Sequence, residues 1–245
     1  MTDPDMQQIR AFEERAFNAW PARQTLLCNG WLLRLSGGYT KRANSANAAE
    51  PGASFDGIRA AAEAFYGRHG LPAVFRLSPL APPEADRELA AAGYVLFDPT
   101  RVVRASLAAA ASSPNVDIAA QPSSDWLHGF AEANAVDPRQ RELHHAMVRA
   151  LALPSAFATL HERGRATGFG LAVLERGAVG CYDIVVDPAR RRRGHARTLT
   201  RALLDWGREE GAELAYLQVR EQNAPARRLY AELGFEDFYR YHYRV

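Results

Sequence analysis

The chain predicts an α/β fold of the α+β kind, with a mixed, mostly antiparallel sheet flanked by helices and built as two similar units in tandem. Two observations carry this. Each half of the 245 residues runs through helix, strand meander, helix, strand, helix, strand. Apolar residues recur at helical spacing in some segments and alternate in others, with Gly, Pro and Asn at the borders. An α+β domain of this size can show such an order without being a tandem, so that alternative stays open.

In the first half, Gln7 to Ala19 carries the apolar stripe Ile9, Phe12, Ala16 and Phe17, and Trp20-Pro21 ends it. Arg23 to Cys28 and Trp31 to Ser36 read as strands around Asn29-Gly30, a strong hairpin signal. Tyr39 to Ser45 is expected to complete the meander, with a loop from Asn47 to Ala53. Ser54 is the expected N-cap of a helix to His69, which Gly70 stops. A strand at Ala73 to Leu77, a helix at Pro83 to Ala92 and a strand within Tyr94 to Leu107 follow.

The patternless AAAASSP run suggests a linker, giving units 1–107 and 117–245 joined by 108–116. The second unit opens with helices at Asp125 to Asn134 and Arg139 to Ala152. Strands are expected at Phe157 to His161, Thr167 to Leu174 and Val179 to Val186. A helix from His195 to Glu210 has the stripe Leu199, Ala202, Leu203 and Trp206. A strand at Glu213 to Val219 and a helix from an Asn223 N-cap to Leu233 follow, with Pro225 in its first turn. Phe235 to Val245 closes the sheet, with Tyr239, Tyr241 and Tyr243 on one face.

Charge and composition exclude several functions. Net charge is +2, with 47% hydrophobic and 24% charged residues, so nothing global favours nucleic acid or membrane. Two distant cysteines form no zinc or disulfide pattern, and no apolar run spans a bilayer or marks a leader. The expectation is a cytoplasmic protein with no metal.

Chemistry concentrates in GCYDIVVDPARRRRGHA, residues 180–196. A strand stops at Asp187-Pro188, four arginines follow, and a helix starts. Unpaired amides at that start, with the helix dipole, favour an anion. Gly194 allows close backbone approach and Ala196 adds little bulk. The spacing Arg191-x-x-Gly194-x-Ala196 suits a pyrophosphate. Otherwise the run is a solvated charged turn.

This segment resembles the acetyl-CoA signature of the GNAT N-acetyltransferase superfamily. A second segment, Asn223-Ala-Pro-Ala-Arg-Arg-Leu-Tyr230-Ala-Glu-Leu-Gly234-Phe235, is similar to that family's other CoA-side segment. The resemblance implies a GNAT fold, the first unit being degenerate because ANSANAAEPGAS replaces the cofactor turn. It implies acetyl-CoA held by the amides of Arg192, Arg193, Gly194, His195, Ala196 and Arg197, with Arg191 and Asn223 alongside. The backbone of Ile184, Val185 and Val186 would pair with the pantetheine arm, and Tyr230 would be the general acid. Each has a plainer reading: Ile184 to Val186 as a buried strand, Asn223 as a helix cap, Tyr230 as a core residue.

Gln218 departs from the ribosomal-protein branch of the family, where a glutamate is the proposed base. Asp183, Tyr182 and Glu221 are nearby polar candidates. Adjacent helix residues do not share a face, so His144-His145 does not suggest a metal site and reads as surface or, at most, substrate-lining. The implied reaction is transfer to an amine of a small molecule, peptide or protein, with an α-amine or another weakly basic amine favoured. A homodimer is a further expectation. The rival classes are a non-catalytic acyl-CoA sensor and a nucleic-acid module.

Overall fold

The computed structural model describes residues 5–107 and 115–245; most of the expected linker lies outside them. Helix α1 (Met6–Asn18) starts at Asp5, whose carboxylate accepts the Gln7 amide at 3.0 Å. Strands β1 (Gln24–Cys28) and β2 (Trp31–Leu35) pair around Asn29 and Gly30. Both turn residues have positive φ, 45° and 79°, as a two-residue hairpin requires.

The third strand differs from expectation. Lys41–Ala43 is a single 3-10 turn, and β3 (Ala46–Ala48) falls where a loop was expected. Asn44 explains the shift. Its side chain accepts from the Ser36 and Gly38 amides and donates to the Tyr39 and Thr40 carbonyls. Those bonds satisfy backbone groups that a strand would otherwise pair. Ser54 caps no helix: its hydroxyl accepts the Asp56 amide, and α2 (Ile58–Gly67) starts after Gly57. Strand β4 (Phe75–Leu77), helix α3 (Pro83–Ala91) and strand β5 (Leu96–Ser106) follow.

Strand β6 (Val116–Ala119) begins at the end of the expected linker. Helices α4 (Ser124–Ala133) and α5 (Pro138–Arg149) lead to strands β7 (Ser155–Glu162), β8 (Arg165–Glu175) and β9 (Ala178–Val186). Helix α6 (His195–Glu209), strand β10 (Leu214–Arg220), helix α7 (Ala224–Glu232) and strand β11 (Glu236–Arg244) complete the chain.

The chain forms two compact units, divided inside β5 at Val102/Val103. The first holds residues 1–102, 219–224 and 237–245; the second holds 103–218 and 225–236. Thus β11, expected in the second unit, pairs antiparallel with β4 in the first, His242 opposite Leu77. The first unit has strand order β1-β2-β3-β4-β11-β5, and the second β10-β9-β8-β7-β6. Each has one parallel pair spanned by a helix, β3-α2-β4 and β9-α6-β10. The β1-β2, β2-β3, β4-β11, β6-β7, β7-β8 and β8-β9 ladders are antiparallel, so the two units share that single irregularity.

The interiors differ. In the first unit Arg76 and Glu13, both about 2% exposed or less, form a buried ion pair, and the Tyr239 hydroxyl donates to Glu13 at 2.6 Å. Tyr239, Tyr241 and Tyr243 form one buried face, as expected. The second unit packs Leu199 and Leu203 of α6 over β8, where glycines leave room. A Cβ at Gly168 or Gly170 would come within 2.8 or 3.0 Å of those leucines. Trp206 is only half-buried; Gly207 continues the stripe instead, because any Cβ there would meet Val179 at 2.7 Å.

Candidate active site

The site is built on β9. Parallel pairing with β10 runs from Ala178↔Leu214 to Cys181↔Leu217 and stops, while β9 continues to Val186. From Tyr182 onward, β9 therefore has an edge that β10 does not cover. Ile184 and Val185 are half-buried there and Val186 is buried. Below the opening, the Tyr182 and Tyr216 hydroxyls meet at 2.9 Å. Gly180 makes room for these rings, since a Cβ would lie 2.6 Å from Tyr216. Burial pushes the Cys181 thiol up to about 12, which keeps it neutral and inert.

The turn after β9 is shaped by Asp187, which accepts the Ala189 amide at 2.9 Å. Two residues then take left-handed backbone, Arg192 at φ 66° and Gly194 at φ 84°, before α6 starts at His195. Alternating handedness bends successive amides into a concave anion nest, and the first turn of α6 adds its own unpaired amides. Arg191 to Gly194 are exposed, and nothing lies within 4 Å of a Cβ built on Gly194. A phosphate group fits these features.

The arginine side chains are largely engaged. Glu162, ending β7, accepts from Arg190 at 2.6 Å and Arg193 at 3.4 Å, and His195 lies 3.6 Å away. Desolvation works to raise the Glu162 carboxyl, but Arg190 and Arg193 outweigh it and hold it below its ordinary value. Arg191 donates to the Val186 carbonyl at 3.3 Å, and Arg197 pairs with Glu232. Ala196 lies in the first turn of α6.

Tyr230 lies on α7 and packs edge-on against Phe235 at 5.9 Å. Burial, and secondarily the Cys181 thiol, raise its phenol far above the usual tyrosine value, so it is protonated at neutral pH. Asn223 immediately precedes α7, its amide donating to the Arg220 carbonyl at 3.0 Å. Gln218 is half-buried on β10.

One arrangement was missed. His144 and His145 are buried, not surface residues. His144 Nε2 lies 2.8 Å from Asp183 Oδ2, and its ring stacks on Phe130 at 4.5 Å. The available signal was spacing: His144 shares the α5 stripe with Met147 and Val148, three and four residues on. Burial, with His144 alongside, lowers the His145 pKa.

Among the described residues no cluster of three or more His, Cys, Asp or Glu could hold a metal, and no helix is long and apolar enough to cross a membrane.

A mixed sheet with one parallel pair open at its far end, and an anion nest where the crossing helix starts, defines the class: a GNAT-type acetyltransferase. Residues 6–244 match the family model described as "Probable histone acetyltransferase Rv0428c C-terminal". The chain is 30% identical to the uncharacterized N-acetyltransferase YobR of Bacillus subtilis, across 98% of this chain and 99% of that one. It is 32% identical to the [Ribosomal protein bS18]-alanine N-acetyltransferase of Escherichia coli over 78 residues, 32% of this chain and 53% of that one. A GCN5-related N-acetyltransferase from Kribbella flavida superposes with TM-score 0.71 at 17% identity, covering 98% and 95% of the two chains. A tandem GNAT protein from the clavulanic acid biosynthesis pathway superposes at 0.62 and 15% identity, covering 99% and 89%. This chain belongs to the GNAT N-acetyltransferase family and is an acetyltransferase.

Proposed function

We propose that the protein moves the acetyl group of acetyl-CoA to a primary amine by direct attack on the thioester. The observation that carries this is the end of β9–β10 pairing at Cys181↔Leu217, which leaves the rest of β9 uncovered by β10 on the way to the nest at Arg192 and Gly194. The nest and first turn of α6, residues 191–197, would take the pyrophosphate. The free edge of Ile184, Val185 and Val186 would hydrogen-bond the pantetheine arm. Charge-assisted hydrogen bonds of roughly 1.5–3 kcal/mol each make several amides in one turn an adequate anchor.

The attacking amine must first lose a proton. At neutral pH that costs about 1–1.5 kcal/mol for an α-amine near pKa 8 and about 4–5 kcal/mol for a lysine-like amine near 10.4. Gln218 offers no base at its position, so an α-amine of a peptide or protein is the favoured acceptor. Tyr230 would protonate the departing thiolate. The protein would work in the cytoplasm, with transfer confined to the second unit.

The test is CoA release with a panel of peptides bearing free α-amines, lysine side chains or neither, beside acetyl-CoA calorimetry. Turnover restricted to α-amines supports the reading. Binding without turnover across the panel would replace the enzyme by an acyl-CoA sensor.

A further inference from the structure

We infer that His144 and Asp183 are positioning residues whose hydrogen bond holds β9 in a bulge aimed at the acetyl carbonyl. The inference rests on the acetyl-CoA reading above. Leu171 pairs with Tyr182 and Phe169 with Val185, so Asp183 and Ile184 together face the single residue Gly170. That is a bulge, with one backbone group too many for the ladder. Asp183 supplies it at φ 50°, left-handed backbone that an L-residue adopts at a cost. The bulge begins two residues past the last step of β9–β10 pairing, Cys181↔Leu217. Its spare amide therefore belongs to the stretch of β9 that has lost β10 as a partner.

A strained residue at an open edge needs an external hold, and α5 provides one. The His144 ring is fully buried against two aromatic neighbours, stacked on Phe130 at 4.5 Å and near-parallel to Trp126 at 6.2 Å. Trp126 is itself fixed, its indole donating to the Ala158 carbonyl at 3.0 Å. The ring in turn fixes the Asp183 carboxylate at 2.8 Å. Burying two ionisable groups is costly where two apolar side chains would pack. The pair serves the backbone: it holds one φ angle, and that angle directs the amides of residues 183 and 184. A preorganised donor at the thioester carbonyl stabilises the oxyanion that forms when the amine attacks.

The test separates backbone positioning from carboxylate chemistry. CoA lacks the carbonyl that acetyl-CoA carries, so the ratio of their affinities reads the bulge directly. Asp183→Ala removes the hold and should abolish the preference for acetyl-CoA, leave CoA affinity within about twofold and lower kcat at least about tenfold. His144→Phe keeps the stacking, loses the hydrogen bond and should do the same, which carries the test if Asp183→Ala fails to fold. Asp183→Gly accepts positive φ unaided and should recover at least about fivefold of the kcat lost in Asp183→Ala. Equal loss in the Gly and Ala variants, or no loss in either, overturns the inference while the parent still binds both ligands. A parent that binds neither overturns the acetyl-CoA reading and this inference with it.

Discussion

The two units start their crossing helices in the same way and with opposite chemistry. In the second unit the turn ends at Gly194, left-handed at φ 84°, with Arg190 to Arg193 before it. In the first, the turn after β3 ends at Gly57, left-handed at φ 73°, with Glu50 and Asp56 before it. The first turn is also pinned: the Trp31 indole donates to the Ser54 carbonyl at 3.0 Å, and Phe55 packs on Trp31 at 5.3 Å and Phe75 at 5.9 Å. A left-handed residue at a helix start is therefore common to both, and both Gly57 and Gly194 are exposed with open space around them; what separates the two turns is positive charge and the second left-handed residue, Arg192.

The interiors differ in the same sense, and the largest expected effect lies there. The first unit fills its parallel pair with Arg76, whose guanidinium bonds Glu13 and lies 3.7 Å from the centre of the Tyr241 ring. Glu13→Ala would leave a buried cation and the Tyr239 hydroxyl without their acceptor. Loss of one partner of a buried pair costs about 3–5 kcal/mol, read by urea unfolding. A cost below about 1 kcal/mol would mean water reaches Arg76 and the first unit is open after all.

Next comes the pair of turns. Gly194→Asp puts a negative side chain into open space beside the nest and should weaken acetyl-CoA binding at least about 100-fold by calorimetry, with an unchanged circular dichroism spectrum. Gly57→Asp places the same residue in the same backbone conformation in the first unit. It should cost about 1 kcal/mol of stability and leave acetyl-CoA affinity alone. Equal effects of the two on affinity would end the claim that only the second unit binds cofactor.

Tyr230→Phe keeps the ring against Phe235 and removes the proton donor. Turnover should fall by roughly 10²-fold, with acetyl-CoA affinity and melting temperature unchanged. A phenol held above its ordinary pKa is a reluctant acid, so its use depends on the thiolate being poorly solvated as well. If turnover is unchanged, water protonates the thiolate and Tyr230 only packs.

Local patterns made much of this legible. The Asn29-Gly30 hairpin, the tyrosine face of β11 and the strand–turn–helix at Gly194 are each encoded in a few adjacent residues. What stayed hidden depends on distant partners. Asn44 abolishes a strand by bonding backbone on its own loop. Asp183 finds His144 thirty-nine residues away in sequence, and no local pattern announces that bond. The destination of β11 is hidden for the same reason: alternation marks it as a strand but does not name β4 as its partner.

The smallest effect concerns how that last strand is held in the first unit. On α3, Asp86 accepts from Arg244 at 2.8 and 3.1 Å and lies 2.7 Å from His242 Nε2, both on β11. The hydrogen bond from Arg244 is the main cause that lowers its carboxyl from 3.8 to about 2; desolvation opposes it and His242 assists. A depressed carboxyl pKa means the folded state prefers the ionised form. The stabilisation is therefore complete above about pH 4, the unfolded value, and is lost as pH falls towards 2. The side chain is 40% exposed, so solvent screening cuts the contribution to about 1 kcal/mol. Asp86→Asn should be less stable than the parent by about that amount at pH 6; the gap should shrink as pH falls towards 2, where the folded parent's carboxyl is half protonated, and close below it. Urea unfolding at several pH values reads the difference. A gap that persists unchanged at pH 2 would show that Asp86 acts through packing or neutral hydrogen bonds, and that charge does not tie β11 to α3.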